Sequence, residues 1–112
     1  MSKKFEKLEK LAAKGKGSAI VRFIKSKDPE VVKDAIAALG KCGGEDAINA
    51  LTGLSNSPIK DLRIAAINAL GKCGGSYNTT LFSHDLSTEK DPEVLEAIKS
   101  ALGEIRTRIK TE

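Results

Sequence analysis

Aromatic side chains are scarce in this chain, with three Phe, one Tyr and no Trp among 112 residues. A core must therefore be built from Ala, Ile, Leu and Val, small aliphatic groups that suit closely packed helices. Histidine occurs once, as His84, and cysteine twice, as Cys42 and Cys73. Two thiols without a neighbouring histidine do not make a zinc set, and they are too few for a disulfide framework. No stretch approaches the ~18 apolar residues of a membrane span. Lys3 and Lys4 lead into no uninterrupted apolar run of the kind an export signal carries. The cytoplasm is the expected location.

What is present reads as one folded domain over residues 1–112. Apolar residues make up 40% and charged residues 30% of the chain, the balance of a globular rather than a disordered protein. The net charge of +4 is unevenly placed. Residues 1–27 hold nine Lys or Arg against two Glu, whereas residues 28–112 hold ten basic against thirteen acidic side chains. The basic character belongs to one end.

The strongest signal is an internal repeat. Ala38-Leu39-Gly40-Lys41-Cys42-Gly43-Gly44 recurs letter for letter as Ala69-Leu70-Gly71-Lys72-Cys73-Gly74-Gly75, an offset of 31. Ala35-Ile36 and Ala66-Ile67 match at the same offset. A third copy opens at Asp91, where Asp28-Pro29-Glu30-Val31 returns as Asp91-Pro92-Glu93-Val94, and Ala101-Leu102-Gly103 follows in phase. A degenerate first copy aligns Leu11, Gly15, Ala19, Ile20 and Phe23 with Leu39, Gly43, Ala47, Ile48 and Leu51 at an offset of 28. The units run over about 1–27, 28–58, 59–90 and 91–112.

Each copy reads as a helical hairpin. Asp28 is a good N-cap, Pro29 suits the first helical position, and Glu30 complements the helix dipole. Val31, Val32, Ala35, Ile36, Leu39 and Cys42 form one apolar stripe at helical spacing. Gly43-Gly44 ends the helix, with one glycine in the left-handed conformation. A second helix begins near Glu45 and buries Ala47, Ile48, Leu51 and Leu54 before Asn56-Ser57-Pro58 breaks it. This reading predicts helices over 2–14, 17–26, 29–42, 45–54, 59–73 and 91–108, with no strands. Residues 76–90 depart from the pattern: their Ser and Thr content weakens helix propensity, and a shorter helix over 79–87 is predicted there.

The units resemble HEAT repeats, in particular the short bacterial kind first noted in phycobilisome lyases. The resemblance rests on Asp-Pro-x-Val followed by Ala-Leu-Gly-x-x-Gly at residues 28–43, and on Leu62-Arg63, Ala65-Ala66 and Ala69-Leu70-Gly71 in the third unit. It implies an all-α fold, a right-handed α-solenoid of about seven helices, whose second helices line the concave face. It also implies a scaffold for protein contacts rather than an enzyme.

No residue pattern argues for catalysis or a cofactor. His84 and Asp85 are adjacent, so on a helix they point in different directions. The glycine pairs lack the spacing of a phosphate-binding loop. Deoxyhypusine hydroxylase, an iron enzyme of similar repeats, uses His-Glu pairs that this chain lacks. Cys42 and Cys73 sit at equivalent positions, one stacking distance of ~10 Å apart. That exceeds the ~7 Å a disulfide allows, so each is read as a small apolar plug.

Function then rests on surface. Subtracting the buried positions leaves Arg22, Lys25, Asn49, Ala50 and Gly53 on the outer side of the second helices. Tyr77, Phe82 and His84 border the same groove from the irregular unit. A protein or peptide partner is expected there, with Ala50 and Gly53 either permitting its close approach or merely letting adjacent helices pack. A nucleic-acid partner bound through the basic N-terminal end is the alternative, although Lys3, Lys4, Lys7, Lys10 and Lys14 read first as the polar cap of a solenoid, with Glu6 and Lys10 paired at i, i+4. A bilin-lyase type of accessory enzyme follows from the resemblance alone. Neither a metal nor an oligomeric state is predicted.

Overall fold

A computed structural model of the chain describes residues 3–111. Among them are seven α-helices and no strand: α1 (Lys3–Ala13), α2 (Gly17–Val21), α3 (Pro29–Cys42), α4 (Gly44–Leu54), α5 (Lys60–Cys73), α6 (Ser76–Thr88) and α7 (Pro92–Thr111). Residue 2, the predicted start of the first helix, lies outside the described residues. The helices form an α-solenoid: α1, α3, α5 and α7 stack side by side, and α2, α4 and α6 lie against them as a second layer.

The starts of the helices follow their caps. Asp28 Oδ1 accepts from the Glu30 N–H at 3.0 Å, and Asp91 Oδ1 accepts from the Glu93 N–H at 2.9 Å. At the same place in the third unit Ile59 offers no side-chain cap to α5. Between α5 and α7 the ends are tied instead by Lys60, whose ammonium meets Asp91 at 2.9 Å and Glu93 at 3.1 Å. Hydrogen bonds to these carboxylates raise the Lys60 pKa and lower that of Asp91.

Apolar spacing sets which faces are buried. Ile20, Ala35, Leu39, Ala47, Leu51, Ala66, Leu70 and Ile105 are fully inaccessible and form one continuous core through both layers. The in-helix glycines Gly40 and Gly71 allow close contact within the first layer. A Cβ on Gly40 would lie 3.0 Å from Ala69 Cβ, and one on Gly71 would lie 3.1 Å from Ala101 Cα. Each glycine thus receives an alanine of the next first-layer helix, and the recurrence of Ala-Leu-Gly is a packing device.

Three elements differ from the sequence prediction. The second helix breaks after Val21 into a 3-10 turn over Arg22–Lys25, closed by the Ser26 N–H donating to the Phe23 carbonyl. Its β-branched Ile20, Val21 and Ile24 have weak helix propensity, and a tighter final turn is a common ending. The C-terminal helix runs to Thr111 rather than 108, because no glycine pair follows Ile105 as it follows Cys42 and Cys73. The irregular segment forms a full helix, α6, from Ser76 to Thr88 rather than 79–87. Asn78 is the reason. It is 1% exposed, and its Oδ1 accepts from the Gly75 N–H at 3.1 Å, which satisfies the helix start. Its Nδ2 donates to Thr52 Oγ1 at 3.2 Å, tying α6 to α4, while the Thr52 hydroxyl donates to the Ile48 carbonyl at 2.7 Å.

Candidate partner-binding face

The second layer presents α2, the 3-10 turn, α4 and α6 outward. Helical spacing puts Ala47, Leu51, Asn78 and Phe82 on its buried side. Phe82, expected to border the groove, is 2% exposed and belongs to the core. The repeat offset of 31 aligns it with Leu51, whose side chain is inaccessible, so the sequence held the signal for this correction. The same register aligns Asn78 with Ala47, and it was the polarity of Asn78 that concealed its burial.

The remaining residues are accessible but do not converge on one hollow. Arg22 stands beside Lys7, Leu11, Ala19 and Phe23 around a recess of about 270 Å³ between α1 and α2. Lys7 Nζ lies 5.9 Å from the Phe23 ring centroid, within cation–π range. Asn49 and half-buried Ala50 line a separate, shallower hollow with Ser18, Val21 and Asp46, residues that the sequence did not single out. Lys25 is exposed at the end of the 3-10 turn.

Gly53 and Ala50 differ in their surroundings. A Cβ placed on Gly53 would meet nothing within 4 Å, so no neighbouring helix requires the glycine. Ala50, by contrast, packs against the core. Beyond Gly53, the Asn78–Thr52 hydrogen bond brings the first turn of α6 against α4. Tyr77, on that turn, is 67% exposed, the most exposed large apolar side chain among the described residues. His84 is exposed further along α6, and burial raises the pKa of its neighbour Asp85, opposed by His84 and reinforced by Glu89.

The chemistry available on this face is that of contact. Among the described residues no group of three His, Cys, Asp or Glu side chains could hold a metal ion, and no helix is long and apolar enough to cross a membrane. Cys42 and Cys73 are free thiols, half-buried at the ends of α3 and α5. Burial raises the Cys73 pKa, with Arg108 opposing and Cys42 adding to the shift. In the third copy the equivalent residue is Ile105, fully buried, which marks the position as an apolar one.

Comparison with known proteins agrees with this architecture. No curated protein matches the chain. The family profile described as HEAT repeats matches residues 7–71, from α1 into the end of α5. Repeats of this class are commonly protein-interaction modules and typically non-enzymatic scaffolds. With matched residues covering more than half its length, and with stacked helical hairpins closed by Ala-Leu-Gly contacts, this chain belongs to the HEAT-repeat family.

Proposed function

We propose that the protein is a non-catalytic adaptor that holds a peptide or helix of a protein partner across the outer side of α2, α4 and α6. Gly53 is the observation that carries this reading. Glycine in a helix costs up to about 1 kcal/mol relative to alanine, and nothing among the described residues calls for it at this position. It leaves a stretch of α4 without a side chain, one turn beyond exposed Asn49, and Tyr77 stands exposed on the first turn of α6. Tyrosine is a frequent energetic centre of protein interfaces, since it combines a large apolar face with a polar tip. Arg22 and Lys25 supply positive charge at the far end of the face, and His84 lies along α6. The thirty-one-residue period and the Asp-Pro-x-Val and Ala-Leu-Gly-x-x-Gly elements support placing the chain with the short repeats first noted in phycobilisome lyases.

The test is affinity purification from native cells with the parent protein, Tyr77→Ala and Gly53→Trp. Both variants should lose the same captured protein while keeping the parent melting temperature. Capture of that protein by both variants at the parent level would refute the proposed face.

A further inference from the structure

The repeat register exposes an unusual property of α1. On α3, α5 and α7 one edge turns back toward the preceding unit, as the contacts of Ala69 with Gly40 and of Ala101 with Gly71 show. That edge is apolar in all three. It comprises Val31, Ala35, Ala38 and Cys42 on α3, then Leu62, Ala66, Ala69 and Cys73 on α5, then Val94, Ile98, Ala101 and Ile105 on α7. All twelve are buried or half-buried. At the offset of 28 the four equivalents in the first unit are Lys3, Lys7, Lys10 and Lys14, and all four are exposed. At 1.5 Å per residue the row spans ~16 Å along one side of α1.

A polar cap accounts for the loss of apolar residues here, but not for four charges of one sign. Nor is the seam beside the row polar. Leu11, Ala19 and Phe23 are half-buried and line the recess between α1 and α2, with Lys7 and Arg22 at its rim. These three positions correspond to Leu39, Ala47 and Leu51, which are fully covered in the second unit. Among the described residues nothing covers this end of the core, and cations border it.

We infer that this end seats an acidic amphipathic helix of a partner protein, lying along α1 where a preceding hairpin would stack. Its apolar side chains cover Leu11, Ala19 and Phe23, and its carboxylates meet the lysine row and Arg22. The surface shares Arg22 with the face proposed above, at its far end, but otherwise lies apart from Gly53 and Tyr77, and the lysine variants below leave that face unaltered. A second copy stacked head to tail is a poorer occupant: where Ile36 and Ile67 are buried, the far face of α7 carries exposed Lys99, flanked by Glu96 and Glu104, so it lacks that apolar side chain for the recess. Nucleic acid would leave the apolar recess unused.

The probe is an end-blocked helical peptide of about 18 residues, a length of ~27 Å. It is built from Glu, Ala and Leu with the leucines at i, i+3, i+4 and i+7, and is followed by fluorescence anisotropy on the full chain. A control peptide replaces every Leu with Ser at the same charge, and a single-stranded oligonucleotide serves as the second control. The Leu peptide should bind, with affinity falling about tenfold or more for Lys7→Gln/Lys10→Gln. The Ser peptide and the oligonucleotide should bind more weakly than the Leu peptide. Lys3→Gln/Lys14→Gln supplies a second variant should the first lose its melting transition. Each of four results would overturn the inference: no peptide binding by about 1 mM, equal binding of the Leu and Ser peptides, tighter binding of the oligonucleotide, or parent-like binding by the folded variants. Sedimentation showing self-association that the same substitutions abolish would assign the end to a second copy instead.

Discussion

The seven residues 38–44 and the seven residues 69–75 are the same letters in the same order, yet they do not make the same turn. After α3, Gly43 and Gly44 both take positive φ, +66° and +86°, and α4 begins at once with Gly44. After α5, Gly74 and Gly75 have φ of −70° and −128°, and the next helix waits until Ser76. The cause lies outside the heptad. Three residues beyond the second glycine stands Ala47 in one copy and Asn78 in the other, both buried. Only Asn78 can accept from the preceding backbone, and it holds the Gly75 N–H. From the far side Arg108 donates through Nη1 to the Gly71 carbonyl at 3.0 Å and through Nη2 to the Gly74 carbonyl. Glycine permits either conformation, so its neighbours choose.

Removing those neighbours should break the comparison. The largest effect is expected for Asn78→Ala, which leaves the Gly75 N–H and the Thr52 hydroxyl without their buried partner, a loss of about 2–3 kcal/mol in urea unfolding. A loss below about 0.5 kcal/mol, the size of an ordinary surface change, would mean that the amide does not set the turn. Arg108→Leu should come next, at about 1.5 kcal/mol for the lost charge-assisted hydrogen bonds. Amide hydrogen exchange should then quicken at 74–78 and stay unchanged at 43–47; equal change at both turns would contradict the local role given to Arg108.

The glycines themselves sharpen the contrast. Gly44→Ala forces an L side chain to φ +86° and should cost about 1–2 kcal/mol even though the space is open. Its letter-identical counterpart Gly75→Ala meets neither strain nor contact, and should change stability by less than about 0.5 kcal/mol. Matching losses in thermal unfolding would erase the distinction. The smallest effect is at Cys73, whose thiol pKa burial raises above its ordinary 9.0. The thiolate is the reactive form, so alkylation of Cys73 should be slower than that of an unfolded-peptide thiol at about pH 8 and should recover in denaturant. A rate equal to the peptide's in the folded protein would show the plug to be open.

Much of the molecule is legible in its sequence because it repeats. Offsets of 31 and 28 aligned the apolar positions, and local rules placed Asp28 and Pro29 at a helix start and Gly43 at its end. The candidate face was read less well. Among serines and threonines the helical stripe is faint, so Phe82 reads both as an apolar contact of its helix and as a border of the groove, and only its register with Leu51 points inward. Arg22, Asn49 and Tyr77 are all accessible, but they stand at separate places rather than around one groove. Arg22 borders the seam with α1, one helical turn from Ala19, rather than the outer side shared by Asn49.

Caps, breakers and apolar spacing act over a few residues, so the helical hairpins and their stacking period follow from local sequence. It also determined the one-sided charge of α1. Tertiary structure alone decided how two identical glycine pairs turn, and whether Gly40 and Gly53 serve the same end. Gly40 receives Ala69 from a neighbouring helix, whereas Gly53 faces open space. A glycine records only the absence of a side chain; what occupies that space is set by residues distant in sequence that packing brings near.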